Sequence, residues 1–84
     1  MLDVIVLGSA AGGGFPQWNS NAPGCRAARE GLIPARTQTS LAVSADGERW
    51  FVLNAAPDLR AQILATPALH ARHGLRSTPI QGVV

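Results

Sequence analysis

Residues 39–54 read TSLAVSADGERWFVLN, two β-rich runs joined by Asp46-Gly47. Asp-Gly between such runs is the strongest short-range hairpin signal, because the turns that match strand twist need positive φ at both central residues. An antiparallel pair, 39–45 against 49–54, is therefore expected. That pairing also limits what precedes it. The apolar run LDVIVL at 2–7, read as a mostly buried strand interrupted by Asp3, must feed a hairpin and not a helical crossover.

The segment between these strands opens on GSAAGGGFPQWNSNAPGC, residues 8–25. Gly8-x-x-x-Gly12-x-Gly14 after a strand has the look of a dinucleotide fingerprint. A phosphate cradle, however, depends on a helix that starts at the loop and aims its N–H groups at the anion. Pro16 and Pro23, with Asn and Ser between them, do not supply that helix. A P-loop is excluded more simply, since the chain contains no lysine. The glycines are then conformational, letting the loop turn sharply and pack against neighbouring strands. Phe15 and Trp18 are expected to pin it to the core.

Farther along, the hydrophobic period changes. Pro57 and Asp58 suit the first turn of a helix over 57–65, with Leu59, Ile63 and Leu64 on one face. Thr66-Pro67 resembles a second helix start, for a short helix ending near Gly74. Residues 79–84 (PIQGVV) read as a strand beginning, interrupted before any turn or cap. Within the long irregular stretch 9–38, only 25–30, closed by Gly31, suggests a helical turn.

Eighty-four residues with 46% hydrophobic and 14% charged content describe either a compact α/β domain or a piece of a larger fold. All seven basic residues are arginines and none adjoin, so the net charge of +2 draws no nucleic-acid patch. The single cysteine, Cys25, excludes an internal disulfide and a self-sufficient cysteine zinc site. The first residues form no basic leader and are too short for a signal peptide or membrane span, so no membrane association and a cytoplasmic location are expected.

Several segments carry a specific similarity: VIVLGSAAGGGFPQWN at 4–19, Arg36-x-Gln38 followed by Ser40, LNAAPDLRAQI at 53–63, ATPALH at 65–70 and GLRSTPIQGVV at 74–84. Together they resemble the N-terminal part of the pyrroloquinoline quinone (PQQ) biosynthesis protein B family, PqqB. The resemblance implies an α/β fold, the N-terminal portion of an αββα metallo-β-lactamase-like sandwich, with residues 1–84 as one incomplete domain. It further implies a role in PQQ biosynthesis, as a metal-dependent oxidative hydroxylation of a tyrosine-derived precursor by the full-length protein. The alternative is a soluble carrier that helps move PQQ or its precursor to the periplasm. Iron or zinc is implied for the full-length family, whereas no cofactor is expected within this chain. The implied partners are the remainder of the same domain and the small-molecule precursor; the 84 residues alone are expected to self-associate through unfinished strand edges.

The family loop reads Trp-Asn-Cys-Asn-Cys-x-x-Cys, a zinc-like cluster, where this chain has Ser20, Ala22 and Cys25. Cys25 is thus the one remnant metal ligand, and by ligand count the loop is expected to hold no zinc. His70 and His73, spaced i, i+3, are expected to be surface residues and not a metal pair. Asp58 is expected to serve the helix start. Asn54, at the strand end, either faces the active-site rim or bridges to the helix backbone. Arg36 and Gln38 are edge residues or ligand contacts, with the edge role favoured. In the carrier reading Arg26, Arg29 and Arg36 would pair with an anionic quinone; solvated surface arginines are the more frequent case.

Overall fold

A computed structural model describes all 84 residues. In chain order the elements are β1 (Asp3–Gly8), α1 (Pro23–Arg29), β2 (Ser40–Ser44), β3 (Trp50–Leu53), α2 (Leu59–Leu64), a 3-10 turn (Pro67–Leu69) and β4 (Ile80–Val83). They form one mixed four-stranded sheet in the order β1-β2-β3-β4. β1 and β3 run antiparallel to β2, whereas β4 lies parallel to β3. The parallel pair requires a crossover, which α2 and the 3-10 turn provide. No helix is long and apolar enough to cross a membrane.

The expected hairpin forms, but not through a two-residue turn. Only Gly47 of the Asp46-Gly47 pair has positive φ (77°). Residues 45–49 are instead wound around the Asp46 carboxylate, whose Oδ1 accepts the N–H groups of Glu48 and Arg49, both at 2.9 Å. Arg49 Nε donates to Asp46 Oδ2 at 2.8 Å, and Ser44 Oγ accepts the N–H of Gly47 at 2.8 Å. An aspartate that organises its own following backbone is an Asx-type turn, which needs no positive φ at the aspartate itself. These N–H donors, those of Arg49 and Glu48 first, hold the Asp46 carboxyl well below the usual carboxylate range.

Strand periodicity divides the sheet into two faces. On the inner face Ala42 and Trp50 pack with Leu69 of the 3-10 turn, flanked by Ile5, Leu7, Ile63, Ala68 and Ile80. On the other face the register pairs Val4 with Val43, Val6 with Leu41, Leu41 with Leu53, and Val43 with Phe51. Val4, Val6 and Phe51 are exposed there, so β1 is not the mostly buried strand its composition suggests. A sheet apolar on both faces has the composition of one covered on both sides.

The helices depart from expectation in detail. α1 forms where the helical turn is expected, with Pro23 in its first turn and Gly31 (φ 79°) closing it; the N–H of Leu32 reaches back to the Ala27 carbonyl at 2.8 Å. α2 also forms, yet Leu64 points to solvent and the buried side chain is Gln62. The second helix shrinks to the 3-10 turn at 67–69, ending well before Gly74. Residues 71–78 are exposed and offer no apolar stripe against which a helix would pack.

Candidate functional site at the glycine-rich loop

The loop after β1 is held like an extension of the sheet. Ser9 and Ala10 donate their N–H groups to the Thr37 carbonyl at 3.0 and 2.8 Å, and Thr39 returns a bond to the Ala10 carbonyl at 2.8 Å. Phe15 and Arg36 exchange both backbone bonds, at 2.8 and 2.7 Å. Gly14 N–H goes to the Ala11 carbonyl at 2.9 Å, and Gly13 N–H goes to Gln38 Oε1 at 3.1 Å. The donors of Ser9, Ala10, Gly13, Gly14 and Phe15 are therefore spent within the fold. A phosphate cradle needs such donors free and converging. The dinucleotide reading fails on this count as well as on the missing helix.

What presses against the glycines is the protein itself. A Cβ on Gly8 would collide with the Gln38 carbonyl and lie 2.5 Å from Thr37 Oγ1 and 2.7 Å from Gln62 Nε2. Gly13 and Gly14 hold φ of 92° and 78°, in the region where side chains are strained. Gln17 folds back under the turn, its Nε2 donating to the carbonyls of Gly12 and Gly14 at 3.0 and 2.9 Å.

Beneath the loop, helix and strand meet through amides. Asp58 precedes α2 but makes no side-chain cap; its Oδ2 accepts the Gln38 N–H at 2.9 Å and Gln38 Nε2 at 3.3 Å. Asp58 does stand at the helix start, as the N-cap residue of α2, but its carboxylate bonds the approach of β2 and none of the helix's own N–H groups. Gln38 is a hub that touches Gly13, Asp58 and Gln62, and not an edge residue; Arg36 is exposed at the edge. Gln62, 3% exposed, donates to Thr37 Oγ1 at 3.0 Å and to the Gln38 carbonyl at 2.9 Å, leaving its Oε1 buried without a partner. Asn54 takes φ of 64° and donates Nδ2 to the Thr39 carbonyl at 2.7 Å, bridging two strand ends and not reaching to the helix backbone, one of its two expected roles. Shallow depressions lie on either side, one of about 250 Å³ bordered by Gly13, Pro16, Arg36 and Asp58. The other, about 270 Å³, is bordered by Gly12, Gln38, Asn54 and Pro57.

Trp18 does not anchor the loop: it is 83% exposed, while Phe15 is half-buried. Its side of the loop is held by the Arg29 side chain and the Ser20 N–H bond to the Gln17 carbonyl, and the indole projects to solvent. Cys25 is buried in α1. Ser20 Oγ accepts the Ala22 N–H at 3.2 Å, and Arg29 Nη2 donates to the carbonyls of Gln17 and Ser20 at 2.9 and 2.7 Å. His70 and His73 are both exposed, and His70 Nε2 lies 3.0 Å from the Leu64 carbonyl. No three His, Cys, Asp or Glu side chains converge anywhere in the chain. The roles of Gln17, Thr37 and Gln62 have no counterpart in the sequence reading; a glutamine at a core-facing helical position is the only signal that points to one of them.

No protein-family model matches the chain. It is 72% identical to the coenzyme PQQ synthesis protein B of Gluconacetobacter diazotrophicus and 74% identical to that of Gluconobacter oxydans, in each case over its whole length. Its fold superposes on the Zn(2+)-bound PqqB crystal structure from Methylobacterium extorquens with a TM-score of 0.93 and 55% identity, covering 99% of this chain and 30% of that one. The chain carries the opening part of the PqqB family. It spans 28% of the length of the curated relatives it matches. The mixed sheet with its few short helices is accordingly the α/β N-terminal portion of a PqqB fold, as the resemblance implied.

Proposed function

We propose that the protein carrying this chain acts in PQQ synthesis, through a metal-dependent oxidative hydroxylation of a tyrosine-derived precursor in the cytoplasm. These 84 residues contribute scaffold and one wall of the pocket. The identity of 72–74% to PQQ synthesis proteins over the whole chain supports the role in PQQ synthesis; the oxidative step goes beyond those names and rests on the family resemblance. A metal held by ligands outside these residues would supply the oxidative chemistry. The residues here order the backbone at 8–17 and 54–58 and present amide groups beside the two depressions.

The carrier reading is the alternative, and one observation weakens it. Arg26, Arg29 and Arg36 are all exposed, but Arg29 is engaged with two loop carbonyls, leaving Arg26 and Arg36 as the ones with unengaged side chains for an anionic quinone. The test is single-turnover incubation of the intact, metal-loaded protein with the amino-acid precursor and dioxygen, beside a binding titration with finished PQQ. A hydroxylated product is expected. Tight binding of PQQ with no turnover of precursor would overturn the enzyme reading in favour of the carrier.

A further inference from the structure

The neighbouring PqqB structure is described as zinc-bound, and the resemblance places a zinc-like cluster at the loop that runs from Gln17 into α1. The donor set of this chain does not fit a zinc ion there. Structural zinc takes four thiolate or imidazole ligands. The stretch from Gln17 to Arg29 offers a single thiol, Cys25, which is buried in α1, and Ser20 Oγ already accepts a backbone N–H. Moreover, a positive charge already sits against the loop. Arg29 Nη2 lies 2.9 Å from the Gln17 carbonyl and 2.7 Å from the Ser20 carbonyl, an arrangement that a nearby divalent cation would oppose by like-charge repulsion.

We propose that Arg29 does for this loop what a metal does elsewhere: its guanidinium, carried on the last turn of α1, clamps residues 17–20 to the helix and leaves the loop independent of zinc. The geometry suits the task. One guanidinium nitrogen, Nη2, donates to both carbonyls, and hydrogen bonds from a charged donor are stronger than neutral ones. Arg29 lies at the C-terminal end of α1, where a cation is favoured by the helix dipole. The loop beyond is tied at Gln17 on both sides, since the same residue's amide holds Gly12 and Gly14. Removing the clamp therefore frees 18–22 while the glycine turn stays fastened.

The test uses the intact protein and limited proteolysis at the exposed Trp18, with metal content measured in parallel. Arg29→Met is expected to accelerate cleavage at Trp18 by about tenfold or more, since it removes both charge-assisted hydrogen bonds and tenfold corresponds to a loss of only ~1.4 kcal/mol of local closure. An unchanged rate overturns the clamp. Should Arg29→Met fail to fold, Arg29→Lys serves, because the lysine stem ends one bond short of the position of Nη2 and does not reach both carbonyls as well. An intermediate rate is expected, and wild-type behaviour overturns the proposal. Cys25→Ser is expected to leave the zinc content of the protein unchanged, and EDTA is expected to leave the cleavage rate of the wild type at Trp18 unchanged. Loss of one zinc equivalent in Cys25→Ser, or chelator-accelerated cleavage at Trp18, would show a metal at the loop and overturn it.

Discussion

Replacing Gly8 by alanine tests the claim that the glycine cluster is pressed against its own protein. The added Cβ would lie 2.5 Å from Thr37 Oγ1 and 2.7 Å from Gln62 Nε2, and closer still to the Gln38 carbonyl. Side-chain termini can rotate away, but the carbonyl is backbone and is itself the acceptor for Gln62 at 2.9 Å. The approach to β2 must therefore move outward. That movement weakens the Gln62 bond and the Thr37 bond to the Leu7 carbonyl, now 3.1 Å. Overpacking alone costs about 1–3 kcal/mol, and each of the two hydrogen bonds adds about 0.5–1.5 kcal/mol. A loss of roughly 2–6 kcal/mol is expected on these terms, toward the lower end because the two bonds are weakened and not lost. Gly12→Ala is the matched control, because a Cβ there meets nothing within 4 Å and its φ is not positive. It should change stability by less than about 0.5 kcal/mol. Urea unfolding of the intact protein, followed by circular dichroism, measures both variants. If Gly8→Ala falls within about 0.5 kcal/mol of Gly12→Ala, the reading of Gly8 as a contact point is wrong.

Three further outcomes follow from the same contacts. Gln62→Leu should destabilise by about 1–3 kcal/mol, since it strips Thr37 Oγ1 and the Gln38 carbonyl of a donor; a variant more stable in urea than the wild type would mean that the unpaired Oε1 outweighs both bonds. Asp46 has a lowered folded pKa, so its contribution is complete above the ordinary carboxylate range near pH 4 and fades as pH falls toward the folded value. Asp46→Asn should remove that acid-side slope from a stability-against-pH profile, and an identical slope in both proteins would rule out Asp46 as its source. The 84-residue stretch alone should self-associate in sedimentation, because β1 and β4 are open edges and Val4, Val6 and Phe51 are exposed; a clean monomer at high concentration contradicts this, and Phe51→Glu should shift the equilibrium toward monomer.

What the sequence makes legible here is what short-range physics decides. The hairpin at 39–54, the helix after Pro57 and the turn of helix before Gly31 each follow from neighbouring residues. Trp18 goes the other way, because the rule that a large aromatic enters the core presumes a core within reach. The second helix falls short for a related reason: Thr66-Pro67 starts a turn, but residues 71–78 have nothing to pack on. The amide network is illegible from sequence altogether. Gln38 meets Gly13 across 25 positions and Asp58 across 20, and neither pairing leaves a periodic trace. The family resemblance reaches where local rules stop, since it concerns the whole chain at once.

The Gln38 side chain is held at both ends, by the Gly13 N–H and by the Asp58 carboxylate, while its own backbone is gripped by Asp58 and Gln62. Its linkage joins the crest of the glycine turn to the foot of α2. A change at residue 38 therefore alters the support of the glycine turn and of the start of α2 together, although the two lie 45 residues apart in the chain.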